Sequence, residues 1–195
     1  MSPRPRSASD DEILDALLRA VEAGGVARLT LAGVAEECGL SAAAVAQRFG
    51  SKRALLLAYG ERRARELARR FAAARREEGS PLGALVEALA GATAGAPAPE
   101  ALANRLALDR VEAGDGEFHA HALAHARRMG EEIRALLEEA VRAGELAPCD
   151  AAGLARTVHT AYEGALATWV VLREGTADDW LRDELEAVLA PYLTG

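Results

Sequence analysis

The chain has 195 residues, enough to bury a substantial hydrophobic core in one large domain or in a small domain followed by a larger one. Half of the residues are hydrophobic, only 4% are aromatic, and long valine, isoleucine and threonine alternations are absent, so the composition predicts an all-α protein without a sheet. The formal charge of −7 excludes a general electrostatic attraction to nucleic acid, so any DNA contact must be local.

Two helices are predicted at the start of the chain. Ser9 and Glu12 have the spacing of a capping box, in which a hydroxyl and a carboxylate satisfy backbone amides of the first turn. Apolar residues then recur at helical intervals up to Gly24, where the first helix is expected to end. Thr30 is placed to cap a second helix, because a threonine hydroxyl accepts hydrogen bonds from the free amides at a helix start.

A third, short helix is predicted over residues 42–49. Gly39 breaks the preceding pattern, and Ser41 is placed to cap the new helix. Only Val45 and Phe49 are large and apolar in it, and they lie one turn apart on one face. The opposite face is therefore free to contact something other than the core.

The remaining pattern predicts six further helices, about nine in all. A glycine, serine and proline boundary at 79–81 ends the long fourth helix. The helix over 151–174 is apolar around much of its circumference and should be buried on two sides, whereas the last helix is amphipathic. The predicted ranges are 52–78, 82–92, 100–112, 117–142, 151–174 and 178–193.

The order of the first three helices is typical of a helix-turn-helix, whose second short helix enters the major groove of DNA. Residues 12–59 resemble the DNA-binding domain of the TetR family of bacterial transcription regulators. The residues that carry the resemblance are Ile13, Leu14, Asp15, Ala16, Thr30, Val34, Ala35, Cys38, Gly39, Leu40, Ser41, Phe49, Ser51, Lys52, Ala54 and Leu55. The resemblance implies a DNA-binding domain over 1–53, joined by the long fourth helix to a helical ligand-binding and dimerisation domain over 54–195.

The resemblance implies that Thr30, Ser41 and Lys52 hold the DNA backbone. Helix N-termini offer unpaired amides and a positive dipole end to a phosphate, and Lys52 adds a full charge at the start of its helix. The alternative is that Thr30 and Ser41 only cap their helices and that Lys52 is only solvated. Arg28, in the loop before the second helix, is a weaker candidate for DNA contact.

Base reading is expected from the uncovered face of the third helix. The side chains of Gln47 and Arg48 can pair with purine edges, and Ala42, Ala43 and Ala44 can contact thymine methyl groups. One reading helix per subunit requires a roughly palindromic operator, with half-sites about one helical turn apart.

Two departures favour an alternative function. The family usually has a basic or polar residue at the position of Ala42 and an aromatic one at Ala46. Residues 1–53 also carry seven basic and seven acidic side chains, so this domain is locally neutral. The alternative is a dimeric helical ligand-binding protein with weak or lost DNA binding.

A homodimer is expected because the family joins two subunits through its last two helices, and the monomer would otherwise expose an apolar surface. The expected interface residues are Ala161, Ala165, Trp169, Leu172, Leu181, Leu185 and Val188.

The family's effector pocket lies in the helical second domain, and ligand binding there re-spaces the two reading helices. A moderately hydrophobic small molecule, releasing a repressor from its operator, fits the small and apolar candidate lining. The candidate residues are Leu85, Leu89, Leu102, Leu106, Leu123, His125, Val158, His159 and Tyr162.

No metal, cofactor or enzymatic activity is expected. His119, His121 and His125 form the tightest polar cluster, but His119 and His121 lie on different helix faces and are better interpreted as exposed histidines. No serine or cysteine nucleophile has a motif around it, and no phosphate-binding loop is present. No run is long enough to span a membrane, and two distant cysteines without a secretory leader favour the reducing cytoplasm.

Overall fold

In the computed structural model, residues 8–91, 93, 98–108, 110 and 116–194 are described, and these ranges contain nine α-helices and no strand. The helices are α1 Asp10–Gly24, α2 Leu31–Cys38, α3 Ala42–Phe49, α4 Lys52–Glu77, α5 Pro81–Ala90, α6 Pro99–Leu108, α7 Gly116–Ala143, α8 Ala151–Leu172 and α9 Ala177–Leu189. The predicted all-α class and number of helices are confirmed. The predicted continuations of α5 to residue 92 and of α6 through 109 and 111–112 lie outside the described residues.

Two compact units make up the chain. The first consists of Met1–Arg62 and Glu100–Ala122, and the second of Arg63–Pro99 and Leu123–Gly195. The predicted DNA-binding domain over 1–53 lies within the first unit. That unit extends further because α6 and the first turns of α7 belong to it, an assignment that helical periodicity alone could not supply.

Side-chain caps fix the helix starts of the first unit as predicted. Ser9 and Glu12 form the capping box of α1, and the Thr30 hydroxyl oxygen accepts from the Gly33 amide at 3.0 Å. The Ser41 hydroxyl oxygen accepts from the Ala44 amide at 3.1 Å. The three helices and the start of α4 then share one core, formed mainly by Ile13, Leu14, Leu17, Val21, Leu29, Val34, Val45, Leu55 and Tyr59.

In the second unit, α8 and α9 lie together and bury their apolar faces. The helix α8 was expected to be buried on two sides. Within the single chain one side is buried, and the opposite side is exposed along Thr157, Thr160, Gly164, Thr168 and Val171.

The C-terminal helix ends earlier than predicted, at Leu189. Pro191 has no amide hydrogen to continue the helix, and the chain forms a short 3₁₀ turn over Ala190–Tyr192. Leu193 then pairs with Leu146 in an isolated antiparallel bridge. The apolar residue at 193 therefore extends the helical pattern in the sequence without extending the helix.

Candidate DNA-binding and effector sites

One face of α3 is exposed and the other holds the helix in place. Val45 is fully buried, whereas the side chains of Ala42, Ala43, Gln47 and Arg48 are exposed. The remaining predicted contact of this helix, Ala44, is half-buried. Thr30 and Ser41, at the starts of α2 and α3, are exposed as well. The predicted contact residues of α3 therefore lie mostly on a surface that a groove of DNA can approach.

Arg48 is already paired within the first unit. Its Nε lies 2.5 Å from an Asp10 carboxylate oxygen, and its Nη1 donates to the carbonyl oxygen of Ala8. Both side chains of the ion pair keep substantial exposure, 44% for Arg48 and 62% for Asp10. These contacts occupy two of the five guanidinium donors, so a purine must pair with the remaining donors or replace Asp10 and Ala8, a constraint that the sequence pattern did not indicate.

Lys52 lies at the first residue of α4, where it was predicted. Its ammonium donates to the carbonyl oxygen of Val26 at 3.0 Å. Because an ammonium has three donors, this bond leaves two for a phosphate. Arg28 is exposed in the short 3₁₀ turn Val26–Arg28 that precedes α2.

Polar contacts near both ends of α1 anchor the helix and were not predicted. The Arg62 guanidinium, 6% exposed, donates to the carbonyl oxygen of Asp11 at 2.9 Å and to the Asp15 carboxylate at 2.7 Å. At the other end of α1, the Asn104 amide donates to the carbonyl oxygen of Glu22 at 3.0 Å, and Arg105 pairs with the Glu22 carboxylate. These bonds fix both ends of the helix against which α2 lies.

The candidate effector residues are divided between the two units. Leu102, which is buried, and Leu106, which is half-buried, belong to the first unit, whereas the others belong to the second. Leu85, Leu89 and Val158 are fully buried, Tyr162 is 6% exposed, and Leu123 is 38% exposed. These candidate residues therefore have very different environments, and their role in effector binding stays a prediction.

His125, one of the candidate effector residues, has polar and charged neighbours. The Nη2 of Arg63 lies 3.4 Å from the Nε2 of His125. Burial, together with Arg63, Arg70 and His159, lowers the pKa of His125 to about 3. Arg63 and Arg70 were not singled out from the sequence, because α4 carries arginines around most of its circumference. The half-buried His159 also lines an open groove of about 470 Å³ between α7 and α8.

The depressed pKa of His125 predicts acid sensitivity. An unfolded imidazole takes up its proton near pH 6.5, whereas the folded one stays neutral until about pH 3. Between these values the unfolded state binds more protons, so stability is lost as the pH falls. We therefore expect the free energy of unfolding, measured by urea denaturation at one protein concentration, to fall between pH 7 and pH 5. The fall should be up to about 2 kcal/mol larger in the wild type than in His125→Gln. His119→Gln, at an exposed position of the same helix, controls for the loss of an imidazole as such; equal losses in wild type and His125→Gln would contradict the prediction.

The predicted dimer residues are mostly covered within one chain. Leu181 and Leu185 are fully buried, and Ala165 and Trp169 are 5% and 7% exposed. Ala161 and Val188 are half-buried, and Leu172 is 48% exposed. The apolar faces of α8 and α9 largely cover each other, so Leu172 and, in part, Ala161 are the predicted interface residues of α8 that stay most accessible within one chain.

The described ranges contain neither a metal-binding cluster nor a membrane-spanning helix. These residues contain no group of three or more histidine, cysteine or acidic side chains placed to hold a metal. None of the helices in the same ranges is both long enough and apolar enough to cross a membrane.

Two family models match the sequence. Residues 13–59 match the bacterial regulatory proteins of the tetR family, and residues 109–185 match the tetracyclin repressor-like C-terminal domain. Comparison with curated protein sequences finds no significant match.

Solved structures of similar fold cover almost the whole chain. A TetR transcription regulator from Haloarcula marismortui has a TM-score of 0.77 at 22% identity, over 95% of this chain and 98% of that one. FadR from Bacillus subtilis, solved with stearoyl-CoA, has a TM-score of 0.75 at 14% identity, over 93% and 98%. SmeT, the repressor of the Stenotrophomonas maltophilia multidrug efflux pump SmeDEF, has a TM-score of 0.70 at 22% identity, over 96% and 92%.

The helix-turn-helix followed by a helical domain is the fold of a class of transcription regulators. The chain belongs to the TetR family of bacterial regulatory proteins.

Proposed function

We propose that this protein is a homodimeric repressor that binds a roughly palindromic operator through α3 and leaves it when a small molecule binds in the second unit. The exposed face of α3 is the observation that supports DNA binding most directly. Val45 is the buried residue of this helix, and the opposite face is open. Thr30, Ser41 and Lys52 surround that face with helix starts and a positive charge, which suit phosphate contacts.

The exposed side of α8 supports association of two subunits. Small residues follow it at helical spacing, three of them threonines, and the apolar Val171 at its end is 76% exposed. Two helices with small residues can approach closely, and their contact would cover this surface. The predicted interface therefore uses Ala161 and Leu172 directly, whereas Leu181 and Leu185 support it from the core.

The effector is proposed to bind among the buried residues of the second unit. SmeT has been solved in complex with triclosan, and FadR from Bacillus subtilis in complex with stearoyl-CoA. Both neighbours share only the fold with this chain, but they support a partly hydrophobic effector here, as the apolar residues Leu85, Leu89 and Val158 also do.

A mobility-shift titration with the DNA upstream of the protein's own gene tests this function. We expect specific retardation of one fragment by the dimer, persisting against excess unrelated DNA. Absence of retardation for every upstream fragment at low salt would favour the alternative of a dimeric ligand-binding protein.

Variants of Lys52 and Gln47 should separate phosphate contacts from base reading. Lys52→Gln removes the charge and keeps a donor for the carbonyl oxygen of Val26. It should therefore weaken binding to all DNA sequences alike. For a dimer, the slope of log binding constant against log salt concentration should become shallower by about 2. Gln47→Ala should instead change the preferred operator sequence. Binding isotherms at several salt concentrations on operator and mutated operator measure both effects. Equal losses without any change in preference would contradict these roles.

The ligand-binding alternative has one observation in its favour, because Arg48 is held by Asp10 rather than free. If this ion pair competes with DNA, Asp10→Asn should raise operator affinity by about 2- to 5-fold, the range expected for an exposed pair. Asp11→Asn is the matched control, since it removes the same charge from the same first turn of α1. An equal gain in both variants would show that only the general charge matters.

A further inference from the structure

A polar cluster lies among the helices of the second unit, and we call it the Arg70–His125 cluster. It consists of Arg63 and Arg70 from α4, His125 from α7, and His159 and Tyr162 from α8. The two arginines lie seven residues apart, which places them on the same face of α4. The positive charges of both arginines act on His125, so the groups are neighbours in space.

Two buried donors of this cluster have no hydrogen-bond acceptor among the described residues. They are the Nε of Arg70 and the Nδ1 of His125. The low pKa of His125 keeps its ring neutral. Because the guanidinium of Arg63 can only donate, the facing Nε2 must accept, and the ring proton therefore resides on Nδ1. A buried donor without an acceptor is costly, and such groups call for an explanation.

The position of Arg70 is defined by its packing. Its Cδ lies 3.1 Å from the point where a Cβ on Gly91 would stand, so the glycine leaves room for the arginine stem. Burial and the charge of Arg63 lower the pKa of Arg70, while Tyr162 and Glu66 act in the opposite direction. Positive charge and free donors thus coincide in a partly buried place, which favours an anionic acceptor.

We propose that the Arg70–His125 cluster binds the carboxylate of an organic-acid effector, with Arg70 Nε and His125 Nδ1 donating to the carboxylate oxygens. This inference rests on the proposed function, since it names the chemical class of the effector. The two oxygens of a carboxylate match the two unpaired donors, whereas a phosphate brings a third oxygen for which these two donors leave no partner. The hydrocarbon part of the acid would lie among the apolar residues of the same unit.

Calorimetric titration of the full-length dimer with ligands of equal tail length tests the assignment. The probes are octanoate, octanamide and octyl phosphate, with benzoate and benzamide as a second acid and amide pair. We expect each acid to bind about 10- to 100-fold more tightly than its amide. No binding of either acid at millimolar concentration, equal binding of acid and amide, or tighter binding of octyl phosphate than octanoate would each overturn the proposal.

Two variants at neighbouring positions locate the site. Arg70→Met keeps the bulk of the stem and should reduce octanoate affinity to that of octanamide, while Arg69→Met, at an exposed position, should leave it unchanged. The melting temperature of ligand-free Arg70→Met should equal or exceed that of the wild type, because an unpaired buried donor is removed. Octanoate binding that survives Arg70→Met would overturn the assignment.

The failure of this inference can be distinguished from the failure of the proposed function. A mobility shift without ligand reports DNA binding alone, and calorimetry without DNA reports the cluster alone. If the protein binds DNA specifically but shows no preference for acids, the proposed regulatory function stands and the proposed carboxylate site is wrong. If acids bind in an Arg70-dependent manner but the protein does not bind DNA, the carboxylate site stands and the proposed repressor function is wrong.

Discussion

Ala43→Glu is expected to abolish operator binding, with a loss of at least about 100-fold, because it places a negative charge on each reading helix against the DNA. The side chain of Ala43 is exposed, so the glutamate needs no space in the core. Like charges placed opposite each other at an interface cost several kcal/mol, and a dimer would place two glutamates, one from each subunit, against the DNA. Fluorescence anisotropy with the operator fragment measures the effect.

Ala107→Glu provides the control for Ala43→Glu. Ala107 is exposed on α6 within the same unit, and the substitution adds the same charge away from α3. It should lower operator affinity only by the small amount that general repulsion produces. Similar losses in the two variants would contradict the assignment of α3 as the DNA-binding helix.

Val45→Asn should have the largest effect on stability among substitutions in α3. Val45 is the one buried residue of that helix and is 0% exposed, so an amide of similar size would be buried without partners. The expected loss in the free energy of unfolding is about 2–4 kcal/mol, measured by urea denaturation. Ala43→Asn introduces the same amide at an exposed position, with a larger loss of helix propensity than Val45→Asn, and should still cost well under half as much. Equal losses would mean that Val45 does not anchor the helix.

Local signals in the sequence predicted the helix-turn-helix well. Ser9, Thr30 and Ser41 cap the three helices because capping depends on residues within three positions of each other. The exposed face of α3 followed from the spacing of Val45 and Phe49 for the same reason. The helix starts and the uncovered surface were therefore accessible without a structure.

Interactions between distant residues were not predictable from these signals. Arg48 and Asp10 are far apart in the sequence, and their ion pair depends on how α1 and α3 pack in the first unit. The environments of Arg63 and Arg70 depend on which face of α4 is covered. Because charged residues occur around most of that helix, its sequence does not indicate the covered face. Leu181 and Leu185 form an apolar stripe, but a stripe does not specify whether the same chain or a second subunit covers it.

Hydroxyl-radical footprinting of the retarded upstream fragment tests whether α3 of each subunit enters the major groove of a palindromic operator. We expect two protected segments related by two-fold symmetry, with centres about one helical turn apart, and loss of both in Ala43→Glu. Protection of a single segment, protection without symmetry, or protection that Ala43→Glu leaves intact would contradict it.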